Sequence, residues 1–440
     1  MLIRTVVLFC FMFCIGFSIA QGNFKLLNTN KDKIKFTLVN NLIVIPVEIN
    51  GAELSFLLDS GVSKPILFNI ISLTDSLQIK HVETVYLRGL GSEGSIEALK
   101  SKHNVVKIGE AVNVNQEVFV VFDEGINFTP RLGIPIHGII GYDLFKDFVV
   151  EINYSSKTLK LHNPQTYKYK KCRKCESFDL TLSHNKPYID GVIEMNGQEH
   201  VVKLLIDTGG SDALWLFEDR KKGIKPIGNK YFEDYLGKGL SGSVYGKRSK
   251  INSFSLKHFK FNDVNVAFPD STSISIARNF KDRSGSISGE LLRRFNIVFD
   301  YGNERITLKK NNNFKAPFRY NKSGIIIEQS GIRIVRQTNN RTSPISNINE
   351  DTHKIVFQHS YNYVIKPAFE IAELRKNSPA EKAGLLIGDV ILEVNKKDAA
   401  NLKMQDINNL FSDEDGEFMR VVVERNGLIL SFEFNLENLF

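Results

Sequence analysis

Two stretches decide the reading of this chain: Leu54-Ser55-Phe56-Leu57-Leu58-Asp59-Ser60-Gly61 and Val201-Val202-Lys203-Leu204-Leu205-Ile206-Asp207-Thr208-Gly209. Each is an apolar, strand-like run that ends in Asp-Ser-Gly or Asp-Thr-Gly. One such tripeptide has an ordinary explanation, because Asp and Gly both favour turns. Two of them, each closing a strand-like run, point to two carboxylates that meet across an internal two-fold axis. Carboxylates held that close share a proton and can serve as an acid and a base.

The similarity extends well beyond the tripeptides. The same 82-residue interval separates Asp59 from Gly141 and Asp207 from Gly289. Ile139-Ile140 precedes the first Gly and Ile287-Ser288 the second. A related tail follows each: Phe148 to Tyr154 then Thr158 to Leu161, and Phe295 to Tyr301 then Ile306 to Lys309. Gly-rich turns lie between these landmarks in both copies, Gly89-Leu90-Gly91-Ser92-Glu93-Gly94 after Tyr86, and Gly237-Lys238-Gly239-Leu240-Ser241-Gly242 after Tyr235. Ordered landmarks at matched spacing define a long-period duplication. Short β-branched and aromatic runs broken by Gly, Asn and Ser turns fill both copies, which predicts all-β units over 24–162 and 178–310. A short helix is expected after each landmark Gly.

At 440 residues the chain is long enough for several cores. Residues 1–20 carry Arg4, an apolar run and a Ser18-Ile19-Ala20 ending, which reads as a signal peptide and predicts export to a periplasmic, cell-envelope or secreted location. Cys10 and Cys14 fall inside that segment, outside a lipid-attachment context. Cys172 and Cys175 then form a single Cys-x-x-Cys in a basic linker over 163–177. In an exported chain a local disulfide is the expected state. A zinc site needs further ligands nearby, so no metal and no cofactor is expected. The formal charge is +8, spread over several basic runs. None is interleaved with aromatics on a nucleic-acid module, so no nucleic-acid partner is expected.

After a polar boundary at 310–317, a third unit spans 318–440. It contains Ser378-Pro379-Ala380-Glu381-Lys382-Ala383-Gly384-Leu385, a short helix with Pro in its first turn and Gly at its end. Ile387-Gly388-Asp389-Val390-Ile391-Leu392-Glu393-Val394 follows as a turn and strand. This pattern resembles a PDZ domain of the kind attached to exported bacterial proteases. The resemblance implies a β domain with two short helices, the second over Met404 to Phe411. It also implies a loop at Ser323, Gly324 and Ile325 whose amides capture a C-terminal peptide ligand. The usual Gly-Leu-Gly-Phe of that loop is missing here. Thr338 to Thr352 is expected to be a polar surface loop.

The doubled motif resembles aspartic proteases of the pepsin and retropepsin type over roughly residues 30–310. That resemblance implies a mainly β, bilobal chain, a pair of acid-protease-like double-ψ β-barrels followed by the PDZ-like domain. It makes Asp59 and Asp207 the catalytic dyad. Ser60, Gly61, Thr208 and Gly209 then support the dyad, and Gly89, Leu90, Gly91, Gly239, Leu240 and Ser241 form flaps over a peptide or protein substrate. One chain carries both halves, so a monomer is expected. Val62 and Gly210 stand where pepsins place a hydroxyl residue, which moves the likeness toward retropepsins. A serine protease is excluded by the lack of a Gly-Asn-Ser-Gly-Gly context, and His-Glu-x-x-His is missing too. The competing reading is a catalytically inactive peptide-binding protein on the same fold.

Overall fold

The computed structural model describes residues 22–440, apart from 71–76, 124, 227, 229, 281 and 345–354. The expected signal peptide lies outside the described residues. The chain is mainly β, and its two motif-bearing units share one pairing scheme. In the first unit, Ala52–Leu58 runs parallel to Gly138–Ile140, so the strand ending at Asp59 lies beside the strand ending at Gly141. Gly138–Ile140 pairs antiparallel with Ile66–Leu67, which runs parallel to Ala111–Val120. In the second unit, Gln198–Asp207 runs parallel to Arg283–Ser288. That strand pairs antiparallel with Leu214–Leu216, which runs parallel to Phe259–Pro269. Parallel neighbours need coverage on both faces, which accounts for the near-continuous apolar character of these runs.

The tails recognised in the sequence build a sheet shared by both units. Its order is Cys175–Asp179, Arg305–Lys310, Phe295–Asp300, Val149–Asn153, Thr158–His162 and Lys31–Lys35. At its centre Val149–Asn153 pairs with Phe295–Asp300, with Ile152 opposite Ile297. Both side chains are fully buried in an apolar cluster that also holds Phe56, Leu58, Leu204 and Ile206. One core therefore underlies both Asp-bearing strands. Short helices follow the landmark glycines, at Tyr142–Phe145 and Gly289–Leu292. The Cys172–Cys175 disulfide sits at the entrance to the Cys175–Asp179 strand.

The C-terminal unit has its own core around Ile325, Ile371, Leu385, Ile391, Ile407, Phe411 and Val421. Ser378 caps its Pro379–Lys382 helix, accepting a hydrogen bond from Glu381 N at 3.2 Å. Gly384 takes a positive φ of 100° at the helix end. Asp389 is buried, accepts from Leu386 N and pairs with Arg425 through two short hydrogen bonds. One expectation is corrected here. Thr338–Pro344 is not loop but the end of the strand Ile325–Pro344, laddered antiparallel to Ile355–Leu374. In this edge strand, paired on one side only, the ladder and not an apolar face defines the element, so composition alone misread it. Residues 345–352 of that expected loop lie outside the described residues.

This unit docks at a junction of all three parts. Arg131 of the first unit pairs with Glu328 at 3.3 Å and Glu373 at 3.2 Å, and its guanidinium covers the Tyr235 ring of the second unit. Asn40 N donates to Gln405 Oε1 at 3.0 Å. Replacing Ile297 by Ala removes the centre of the shared sheet and should destabilise the chain by about 2–5 kcal/mol. Denaturant unfolding checks this, and a loss below about 1 kcal/mol contradicts a common core for both units.

Candidate active site

Each Asp sits where its strand stops. Asp59 follows Ala52–Leu58, and its own N–H donates to Ile140 O at 2.8 Å. Asp207 ends Gln198–Asp207 beside Ser288. The turns after them interlock through four hydrogen bonds. Ser60 N donates to Thr208 Oγ1 at 2.9 Å, and Ser60 Oγ donates to Ile206 O at 2.6 Å. Thr208 N donates to Ser60 Oγ at 3.1 Å, and Thr208 Oγ1 donates to Leu58 O at 2.7 Å. Ser60 and Thr208 are buried, so water cannot replace any of these bonds.

That lock sets the two carboxyls close together around Gly61, where a Cβ would stand within 3.6 Å of an oxygen of each. Each also accepts from the amide two residues on, Gly61 N at 2.7 Å for Asp59 and Gly209 N at 3.0 Å for Asp207. The glycines are steric necessities at this approach. A Cβ on Gly209 would stand 2.3 Å from Asp59 Oδ2, and one on Gly61 would stand 3.1 Å from Asp59 Oδ1. A Cβ on Gly141 would stand 1.9 Å from the Asp59 carbonyl oxygen, which gives the landmark Gly its reason.

Both carboxyls are held above the ordinary aspartate range. Burial is the main cause for each, and for Asp59 the Asp207 charge adds to it. The surroundings are unequal. Lys186 favours the ionised form of both, while Arg283 acts on Asp207. Both carboxyls are pushed up, and the cations on the Asp207 side oppose that rise. The pair titrates as a unit.

The Gly-rich turns meet above this pair. Gly89 N donates to Ser241 Oγ at 3.0 Å, Ser241 N to Leu90 O at 2.9 Å, and Glu93 N to Ser241 O at 2.9 Å. The tips exchange apolar side chains. Leu90 packs against Phe217 and Ile274 and against Leu236 and Val244 of the second unit, while Leu240 packs with the first unit's cluster around Phe68 and Ile126. Gly91 and Gly239 allow the crossing, since a Cβ on either would lie within 2.3 Å of a backbone oxygen opposite. Tyr86, by contrast, is 71% exposed and points away from the contact. The hairpin Phe232–Gly239 and Gly242–Leu256 is fastened at its base by Arg248, which bridges Asp212 at 2.8 Å and Asp234 at 2.7 Å. A cavity of about 300 Å³ lies behind this hairpin, against Glu373 and Arg375 of the C-terminal unit rather than over the carboxyls.

The amides of the expected peptide-carboxylate loop are already engaged. Gly324 N donates to Asn321 Oδ1 at 3.0 Å and Ile325 N to Ser323 Oγ at 3.0 Å, while Ser323 N points to Phe411 O. In this arrangement Ser323, Gly324 and Ile325 form a turn whose amides are held by neighbouring groups. Sequence reading also passed over Lys186, Arg283, Asp212 and Arg248. Arg248 and Asp212 carry no motif. Among the described residues no group of three or more His, Cys, Asp or Glu side chains converges on a metal position.

Comparison with known families finds two matches. Residues 45–144 match the aspartyl protease family, a segment that holds Asp59, Gly61 and Gly141. Residues 370–425 match the PDZ domain family. Comparison with curated proteins finds no significant match. The chain thus carries an aspartyl protease-like domain and a C-terminal PDZ domain.

Two outcomes follow from the geometry. Ser60→Ala leaves Ile206 O and Thr208 N without their buried partner and should cost about 1–3 kcal/mol in denaturant unfolding. No loss would mean that the turns do not lock. A carboxyl raised in the folded state contributes stability below its ordinary pKa, and that contribution is lost as pH rises through the raised value. Asp59→Asn removes the repulsion and should stabilise the chain at pH 8 by about 1 kcal/mol. A variant less stable than the parent at pH 8 contradicts the close carboxyl pair.

Proposed function

We propose that this chain is an aspartic endopeptidase, with the unit over 178–310 serving as the second protease lobe. The observation that carries the reading is the pair of Asp carboxyls drawn together around Gly61 by two interlocked Asp-Ser/Thr-Gly turns. The ionised member of the Asp59/Asp207 pair takes a proton from a water molecule that attacks the scissile carbonyl. The protonated member protonates the carbonyl oxygen. Collapse of the tetrahedral intermediate breaks the C–N bond, the amine leaving with a proton from the dyad. Peptide and water are consumed, and an acid and an amine are released. The crossed tips at Leu90 and Leu240 part to admit substrate and close to exclude water.

The reading extends to a monomer that works after export, as the Cys172–Cys175 disulfide supports. The PDZ domain engages a partner or substrate peptide at a surface other than the tied turn at Ser323–Ile325. The retained dyad geometry favours catalysis over an inactive peptide-binding protein.

Asp59→Asn and Asp207→Asn should each reduce cleavage of a quenched fluorescent peptide library by about 10³-fold or more. Cleavage that survives either change contradicts the dyad. Because the pair retains its proton above the ordinary aspartate range, activity should persist above pH 4 and decline as that proton is lost. A profile already falling at pH 4 contradicts the raised pair.

A further inference from the structure

The C-terminal unit turns a strand edge toward the first unit. Ile325–Pro344 is the outermost strand of its sheet, and among the described residues nothing pairs with it on the side away from Ile355–Leu374. An unpaired edge is a template on which an extended peptide adds as a further strand. Here that edge is covered around Glu328 by the first unit's helical turn Thr129–Leu132, which lies against it. The helix Met404–Leu410 lies against the same strand. Gly133, directly after the turn, reaches that helix too, since a Cβ on it would stand 3.4 Å from Met404 Cβ. The segment therefore touches both the strand and the helix of the C-terminal unit.

Arg131 fastens the turn. Its Nε lies 3.3 Å from Glu328 Oε2, and its Nη2 donates to Glu373 Oε1 at 3.2 Å. The ladder sets Ile326 opposite Glu373, and Glu328, two residues on, shares that face. The two carboxylates thus form one acidic step on the sheet. Glu373 also accepts from the Tyr245 hydroxyl at 3.4 Å. Among the described residues, neither carboxylate has a second cation within ion-pair distance. Asn40 N adds its hydrogen bond to Gln405 Oε1. These ties to the first unit are polar and half-exposed. The ties to the second unit are aromatic: Phe232 stacks on Phe440 at 5.3 Å and lies under the Arg375 guanidinium at 4.3 Å. Polar interfaces within a chain separate more readily than apolar ones. The first unit is therefore the one that lets go of the strand while the second keeps its hold.

We propose that the strand edge around Glu328 and the helix Met404–Leu410 form a peptide-docking surface, held in the resting chain by residues 129–133, whose external partner is an extended peptide with Arg or Lys in the place of Arg131. The proposal rests on the reading that the PDZ domain binds a peptide, names the surface and the partner, and needs no peptidase activity. The peptide backbone pairs with the free strand edge, and its cation takes over Glu328 and Glu373. Two half-buried carboxylates left without Arg131 favour a cationic peptide over a neutral one. Departure of Arg131 also uncovers the Tyr235 ring at the base of the second hairpin tip.

A random displayed-peptide library is selected on the full chain and on the full chain with Arg131→Ala, both carrying Asp59→Asn so that bound peptide is not cut. Recovered peptides are labelled and titrated by fluorescence anisotropy, each beside a version with its cation replaced by Gln. They should share Arg or Lys at one position, and Gln there should weaken binding about tenfold. Arg131→Ala should tighten binding about tenfold, because the surface no longer has to be vacated. Glu328→Gln combined with Glu373→Gln should weaken it about tenfold. The variants thus move in opposite directions, which loss of folding does not produce. With saturating peptide, hydrogen exchange of the Arg131-bearing chain should speed up at 128–134 and slow at 325–329. Unchanged affinity in Arg131→Ala, indifference to the cation, or slowed exchange at both segments overturns the proposal. Peptides that bind and slow exchange elsewhere in the C-terminal unit leave the PDZ reading standing while this surface falls. A selection that recovers no peptide from either chain contradicts both.

Discussion

Everything at the centre of this molecule depends on the reciprocal clasp between Ser60 and Thr208. Each hydroxyl donates to a carbonyl of the opposite unit, Ser60 to Ile206 and Thr208 to Leu58, and each accepts the opposite backbone amide. Because both residues are buried, four bonds that would be worth little on a surface become costly to break. The clasp forces two acidic groups into contact against their mutual repulsion. Glycines at 61 and 209 leave room for that contact, and amides from the same turns stabilise whichever charge the pair carries.

The rest of the fold holds that constraint from three sides. Beneath, the strands through Ile152 and Ile297 merge the two units into one sheet and one core. Above, Leu90 and Leu240 trade places across the cleft, so each unit supplies part of the other's cover. At the side, Arg131 joins the first unit to the C-terminal unit and packs on Tyr235 of the second hairpin. A displacement of the C-terminal unit therefore acts directly on the base of one tip. The two units pair their strands alike but differ in charge, since Lys186 and Arg283 occur in the second unit only.

Much of this was legible in the sequence because it is carried by local, repeated chemistry. The Asp turns and the matched interval to Gly141 and Gly289 reflect close backbone contacts that only Gly permits. The capped helix at Ser378 and the buried Asp389 turn are local motifs as well. What escaped the reading depends on register or on distant partners. Lys186 looks like an ordinary hairpin lysine until the strand pairing sets it opposite Asp207. Thr338–Pro344 looks like loop by composition, yet its ladder makes it strand. Ser323, Gly324 and Ile325 resemble an anion-binding turn, but Asn321 and the Ser323 hydroxyl occupy the amides. Backbone amides leave no trace of their partners in a sequence.

The central claim is that Asp59 and Asp207 share one proton. Carbon-13 NMR of Asp carboxyls, recorded against pH for the full chain and referenced to the two single Asn variants, measures it most directly. The account predicts two coupled steps, the upper one well above the ordinary aspartate value, which disappears when either partner is Asn. Two independent titrations near the ordinary aspartate value, unchanged by loss of the partner, would contradict it.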